Sequence, residues 1–143
     1  MSSRGSWLQA RAAGRDLLLS TLDLREVVAP MPIAPLPGGS RGIAGVVIHQ
    51  GEFLPVLAWG ELLGGREAPE IPTALAVLRL RLGVPLGCLG GTLSLAPELW
   101  RDPPGDDPWL PWIDAVARVD GKDLPRLDLD RLMALLRGFR AER

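Results

Sequence analysis

Tyrosine and asparagine are absent from these 143 residues, and cysteine, histidine and lysine each occur once, as Cys88, His49 and Lys122. One cysteine closes no internal disulfide, and one Cys with one His falls short of a four-ligand zinc site. No apolar run approaches the ~20 residues of a membrane-spanning helix. Met1-Ser2-Ser3-Arg4-Gly5-Ser6 leads into no long apolar stretch, so no signal peptide is expected either. Charge of one sign is missing too: the net charge is −1 and the basic residues are spread along the chain. A strongly electropositive nucleic-acid face is therefore not expected. These absences point to a soluble, cytoplasmic protein of a reducing compartment, with no cofactor. Gln9 and Gln50 are the only side-chain amides, and arginine far outnumbers Lys122. That bias suits a thermophile and a GC-rich genome equally, and says nothing of function.

Apolar residues, by contrast, make up 47% of the chain, together with 17 Gly and 14 Pro. That composition is globular, and the length suits one domain with a real core. Proline and glycine arrive every eight to fifteen residues and limit the regular elements. Between them lie short runs with the length of strands: Trp7–Ala12, Asp16–Ser20, Ile43–His49, Phe53–Leu57, Ala74–Leu82, Leu86–Leu89 and Ala115–Val119. Within Ala74–Leu82, Arg79 and Arg81 alternate with leucines as in a half-buried strand. Many short strands with evenly spaced turns predict a sandwich or small barrels. Three segments read as helical: one turn in Leu22–Val27, a short helix over Trp59–Leu63 ended by Gly64-Gly65, and Asp128–Phe139. In the last, Asp128 suits the N-cap, and Leu129, Leu132, Met133, Leu136 and Phe139 share a face.

An internal repeat organises the chain. The stretch from Gly45 through Gly51 and Pro55 to Leu57, followed by Leu62, returns 70 residues later as Ala115 through Gly121 and Pro125 to Leu127, followed by Leu132. Val46/Val116, Gly51/Gly121, Leu54/Leu124, Pro55/Pro125, Leu57/Leu127 and Leu62/Leu132 are identical without a gap. The pattern describes a strand, a Gly-centred hairpin turn, a return strand and a helix. Proline in the return strand lacks an N–H and belongs at an edge or a bulge.

Catalytic chemistry has little to stand on. His49 sits beside the Gln50-Gly51 turn with no signature for a partner base or a cleft. Cys88 lies in an apolar run, where a buried inert thiol is expected. The glycines of Leu36–Gly42 and of Gly87–Gly91 lack the order of a phosphate loop or a dinucleotide fingerprint and read as turns. Asp102, Asp106 and Asp107, interrupted by prolines, read as a solvated linker. Trp100, Trp109 and Trp112 flank that linker, with Trp7 and Trp59 elsewhere, and either plug the junction between the halves or form a binding face.

Taken in order, Leu24-Arg25-Glu26-Val27-Val28, then Pro35-Leu36-Pro37-Gly38, then Gly45-Val46-Val47 through Gly51-Glu52-Phe53-Leu54-Pro55-Val56, resemble the CheW-like adaptor domain of bacterial chemosensory systems. Trp7–Ser20, Ala74–Leu95 and Ile113–Met133 resemble the family's opening hairpin, the start of its second half and its closing segment. The resemblance implies a mostly β fold of two five-stranded, SH3-like barrels about a shared hydrophobic seam, with a C-terminal helix. A single such domain would span residues 1–143, in approximate halves 1–70 and 71–143, the first half contributing part of the second barrel. It further implies a non-catalytic scaffold coupling the cytoplasmic tip of methyl-accepting chemoreceptors to the regulatory domain of a CheA-type histidine kinase, in a flagellar or a type IV pilus system. Carried over by position, the receptor seam would hold Leu24, Val27, Val28 and Gln50, with Glu26 in the same motif, and the kinase-facing surface would lie near Gly38, Arg41 and Glu52. The family's N-L-R-G is Ile48-His49-Gln50-Gly51 here, so Gln50 replaces an arginine and lacks its charged, bidentate contacts. The second half departs as well, with Gly90-Gly91 where a V-D pair is expected. Two alternatives stand beside the adaptor: an enzyme or small-ligand binder using His49, Cys88 and the tryptophans, and a domain that assembles only with itself.

Overall fold

The computed structural model describes residues 5–36, 41–65 and 71–141. Eleven strands are assigned there: β1 (Gly5–Ala12), β2 (Arg15–Ser20), β3 (Leu24–Val28), β4 (Ile43–His49), β5 (Glu52–Leu57), β6 (Ala74–Leu78), β7 (Leu82–Leu86), β8 (Cys88–Leu95), β9 (Trp100–Arg101), β10 (Ile113–Val119) and β11 (Lys122–Leu127). Two α-helices, α1 (Trp59–Leu62) and α2 (Leu129–Ala141), follow the repeated hairpins. The fold is mostly β, as expected.

The strands form two sheets. One runs β3-β6-β7-β5-β4 and uses a continuous piece of chain, so we call it the central barrel. The other runs β8-β1-β2-β11-β10-β9 and draws on both ends of the chain; we call it the split barrel. It has six strands where five are expected, because two-residue β9 pairs with Val116 and Ala117. The counterpart of β9 in the central barrel is a single bridge, Ala34 to Val46.

The repeat is a repeat of register. In the β4–β5 hairpin Ile43 faces Leu57, the register shifts, and Gly45, Val46, Val47, Ile48 and His49 face Val56, Pro55, Leu54, Phe53 and Glu52. In β10–β11 Ile113 faces Leu127, the register shifts at the same place, and the remaining pairs recur 70 residues on. Both turns have two left-handed residues, Gln50-Gly51 (φ 51° and 77°) and Asp120-Gly121 (φ 50° and 79°). Two consecutive positive φ values match the twist of the flanking strands. The parallel contacts repeat too, Val56 with Gly83 and Arg126 with Leu18.

Five expectations give way. Leu22–Val27 is not a helical turn: from Leu24 on it is β3, paired with β6, because its valines are worth more in a ladder than in one isolated turn. Ala74–Leu82 is not one strand but β6, a turn and the start of β7, with Arg81 left-handed at φ 58°. Leu86–Leu89 is likewise divided between β7 and β8, and Gly90-Gly91 lie inside β8 at a register shift against β1, not in a turn. Pro55 and Pro125 sit in interior strands, one pair away from the register shifts. The parallel neighbour of β5 pairs only at Val56, so the ladder there asks no N–H of Pro55.

Three cores hold the barrels. The largest lies between them and joins Ala12, Leu17 and Leu19 with Leu78, Leu82, Val84 and Leu86, covered by Leu129, Leu132 and Leu136 of α2. Val47, Leu54, Val56, Leu75 and Val77 fill the central barrel, and Leu18, Leu95, Ala117 and Leu124 the split one. Asp128 caps α2 as expected, accepting the Arg131 N–H at 3.2 Å. At the end of α1, Gly65 N–H donates to Gly60 O at 2.8 Å, where Gly64 and Gly65 turn left-handed.

Candidate functional site

Beside the Gln50-Gly51 turn, the end of the central barrel opens into a cleft of about 230 Å³ lined by Arg25, Glu26, His49, Gln50, Glu52, Leu54, Val77, Leu78 and Arg81. Each wall comes from a different element. A register shift between Leu24 and Glu26 in β3 turns Leu24 and Val27 to the shared core, while Val28 packs on the core of the central barrel. Glu26 is left at the cleft, where its carboxylate meets His49 Nε2. The β4–β5 register sets His49 opposite Glu52. The left-handed turn at Arg81 carries its guanidinium back to Glu52, and Arg81 also donates to Phe53 O at 2.9 Å. The Arg81 hydrogen bond and charge hold the Glu52 carboxyl below its usual pKa, with smaller help from Arg25 and His49.

Four of the residues singled out in the sequence, Glu26, His49, Gln50 and Glu52, thus share one cleft. Leu24, Val27 and Val28 do not line it and are half-buried supports behind it. Arg41 lies apart, with its guanidinium 4.4 Å from the Phe139 ring centre. Gly38 lies outside the described residues. Arg25 and Arg81 are not among the expected site residues: Arg25 enters only within the Leu24–Val28 motif, and Arg81 reads as part of a strand because Val77–Leu82 imitates an alternating one.

On the alternate positions of the same hairpin, Ile48 and Phe53 pair across the strands and are 59% and 68% exposed. Their counterparts on the other hairpin are Arg118 and Asp123, an ion pair at 3.3 Å. One backbone therefore carries a solvated charge pair in one barrel and an uncovered apolar pair in the other.

The remaining candidates do not converge. Cys88 is exposed at the start of β8, contrary to the expected buried thiol, because β8 is an edge strand. It lies in the other sheet from His49 and does not line the cleft. Trp59, Trp109 and Trp112 pack on one another at 5.0–6.2 Å between the barrels, with Trp59 Nε1 donating to Pro85 O at 2.9 Å. Trp7 and Trp100 meet edge-on at 5.0 Å under Arg126 of the split barrel. These five rings form two packed groups, which favours the plug over the binding face. Asp107 is not a solvated linker residue either: its side chain is 7% exposed and takes two 2.7 Å hydrogen bonds from Arg15. No group of three or more His, Cys, Asp or Glu able to hold a metal ion is present among the described residues.

A family model for the CheW-like domain matches residues 6–137, which takes in both barrels and the cleft. The chain belongs to the CheW-like domain family. Among solved structures, it is similar to the scaffolding protein TtCheW from Thermoanaerobacter tengcongensis, with a TM-score of 0.78 and 16% identity over 90% of this chain and 87% of that one. Among curated proteins none matches. The CheW-like fold accounts for the two SH3-like barrels, and at this identity the likeness to TtCheW concerns the fold alone.

Proposed function

We propose that this CheW-like chain is a non-catalytic scaffold of a chemosensory pathway, acting in the cytoplasm as one domain over residues 1–143. It couples the cytoplasmic tip of a methyl-accepting chemoreceptor to the regulatory domain of a CheA-type histidine kinase, in a flagellar or type IV pilus system. Membership of the family over residues 6–137 is the ground of this reading. The observation that carries it to a surface is the β4–β5 hairpin, where Ile48 and Phe53 stand uncovered at positions that the other hairpin fills with Arg118 and Asp123. An exposed apolar pair flanked by charged side chains suits a protein partner better than solvent. Glu26, Gln50 and Glu52 form the polar margin of this surface, while Leu24, Val27 and Val28 act behind it by holding β3 in place. Arg41 belongs to a second, separate contact in this scheme, and Gly38 is joined to it by the family resemblance alone.

Calorimetric titration with a CheA-type regulatory domain tests the proposal. The expected Kd is on the order of micromolar. Phe53→Asp should weaken binding at least about ten-fold with the fold intact, since this ring is exposed. Val27→Glu is the contrasting variant: Val27 packs on the shared core, so that change should unfold the protein and not merely weaken binding. No heat up to ~1 mM partner would overturn the adaptor reading.

A further inference from the structure

The two barrels close differently. The edge strands of the central barrel, β3 and β4, stand at opposite ends of its sheet, and no ladder joins them. Across that seam Glu26 of β3 meets His49 of β4, with side chains 39% and 17% exposed. In the split barrel the position 70 residues on from His49 is Val119, which packs with Trp7, Leu93 and Trp100 on that barrel's own core. Its closure is therefore apolar and aromatic, with Trp7 against Trp100. Among the described residues only the central barrel, the one bearing the cleft, is joined across its seam by an imidazole–carboxylate contact.

We propose that the Glu26–His49 pair is a pH-sensitive latch on the central barrel, closing the β3–β4 seam in acid and easing it in mild base. Its effect on partner binding rests on the adaptor reading above; its effect on the barrel does not. An imidazolium donates a charge-assisted hydrogen bond to a carboxylate, and a neutral imidazole makes a bond roughly half as strong. Imidazoles as a class change charge between pH 5 and 8. The charged groups facing His49 are Arg25 and Glu26 from β3, Glu52 from β5 and Arg81 from the turn after β6. Arg81 is bonded to Glu52 and to the Phe53 carbonyl, so that carboxylate already has its counter-charge. Glu26 is left as the direct partner of His49. His49 is also the only histidine of the chain, so no other imidazole can produce the same response.

Amide hydrogen exchange on the full chain, corrected for the intrinsic pH dependence of exchange, tests the latch. Amides of β3 and β4 should be protected on the order of five-fold more at pH 5.5 than at pH 8, with β10 and β11 unchanged as the internal control. His49→Gln and, independently, Glu26→Gln should abolish that difference. Equal protection at both pH values in the wild type, or a difference that survives in both variants, would overturn the proposal. Titrating the kinase regulatory domain over the same pH range separates the two readings. Absence of binding at every pH counts against the adaptor alone, whereas binding that is tight and independent of pH removes the regulatory role from the latch.

Discussion

Asp107 shows how one side chain ties distant parts of this chain together. Its carboxylate takes both Arg15 guanidinium bonds at 2.7 Å and the Trp109 N–H at 2.9 Å, while Arg15 lies 5.0 Å from the Trp109 ring centre. An exposed pair such as Arg118–Asp123, with both side chains 58% exposed, contributes about 0.5 kcal/mol or less. A bidentate pair with the acid nearly out of water is worth more, because breaking it leaves a buried group without its partner. The Arg15 bond, helped by the Trp109 N–H and opposed by desolvation, lowers the Asp107 pKa in the folded state. A lowered folded pKa stabilises above the unfolded carboxylate range, near pH 4, and that contribution disappears as pH falls through the folded value. Asp107→Asn keeps an oxygen for the Trp109 N–H but removes the charge and turns the oxygen facing Arg15 Nη2 into an NH2 donor, so the bidentate pair is lost. It should cost about 1–3 kcal/mol at pH 6, measured by urea unfolding, and the gap from wild type should shrink steadily below about pH 4. A gap independent of pH would mean that the ion pair is not the source.

At the scale of elements, the paired hairpins offer a controlled comparison. Gly51 and Gly121 share left-handed φ values of 77° and 79°, and neither has an atom within 4 Å of where a Cβ would stand. Alanine at either site therefore meets only backbone strain, and each change should cost about 1 kcal/mol. The two costs, read as urea midpoints, should agree within about 0.5 kcal/mol; a marked inequality would show that the repeated register is not energetically equivalent. Much of this was legible in the sequence, because Gly and Pro positions and the spacing of Leu127 from Leu132 are local signals of turn, strand and helix. What stayed hidden was non-local. The turn at Arg79-Leu80-Arg81 is invisible to a period-two pattern, since both strands and the turn place leucines at alternate positions. The extended state of Leu24–Val28 depends on β6, more than forty residues away, and its two valines favour a ladder without announcing the partner strand. For the cleft, the Gly51 turn was readable from the repeat, but the meeting of Glu26 with His49 requires the sheet to curl until its two edges face each other.

For the whole molecule, the decisive feature is the distribution of buried side chains. Each barrel has a small interior of its own, whereas the core between them is drawn from β1, β2, β5, β6, β7, β10 and β11 and from both helices. Neither barrel can lose its neighbour without exposing that shared surface, and a unit the size of residues 24–86 is marginal to begin with. Trp112, 1% exposed, sits in the shared core beside Trp59 and Trp109, and its backbone carbonyl accepts the Asp128 N–H at 2.9 Å at the head of α2. Trp112→Ala should therefore lower the stability of both barrels together, by about 3–5 kcal/mol. Denaturant unfolding followed by far-ultraviolet circular dichroism, tryptophan fluorescence and amide exchange in β6 and β1 should give one coincident transition, moved to lower denaturant in the variant. If β1 and β6 lost protection at different denaturant concentrations, the barrels would be separate folding units and the shared core only a contact between them. A single transition would mean that the two barrels unfold globally as one unit through their shared core.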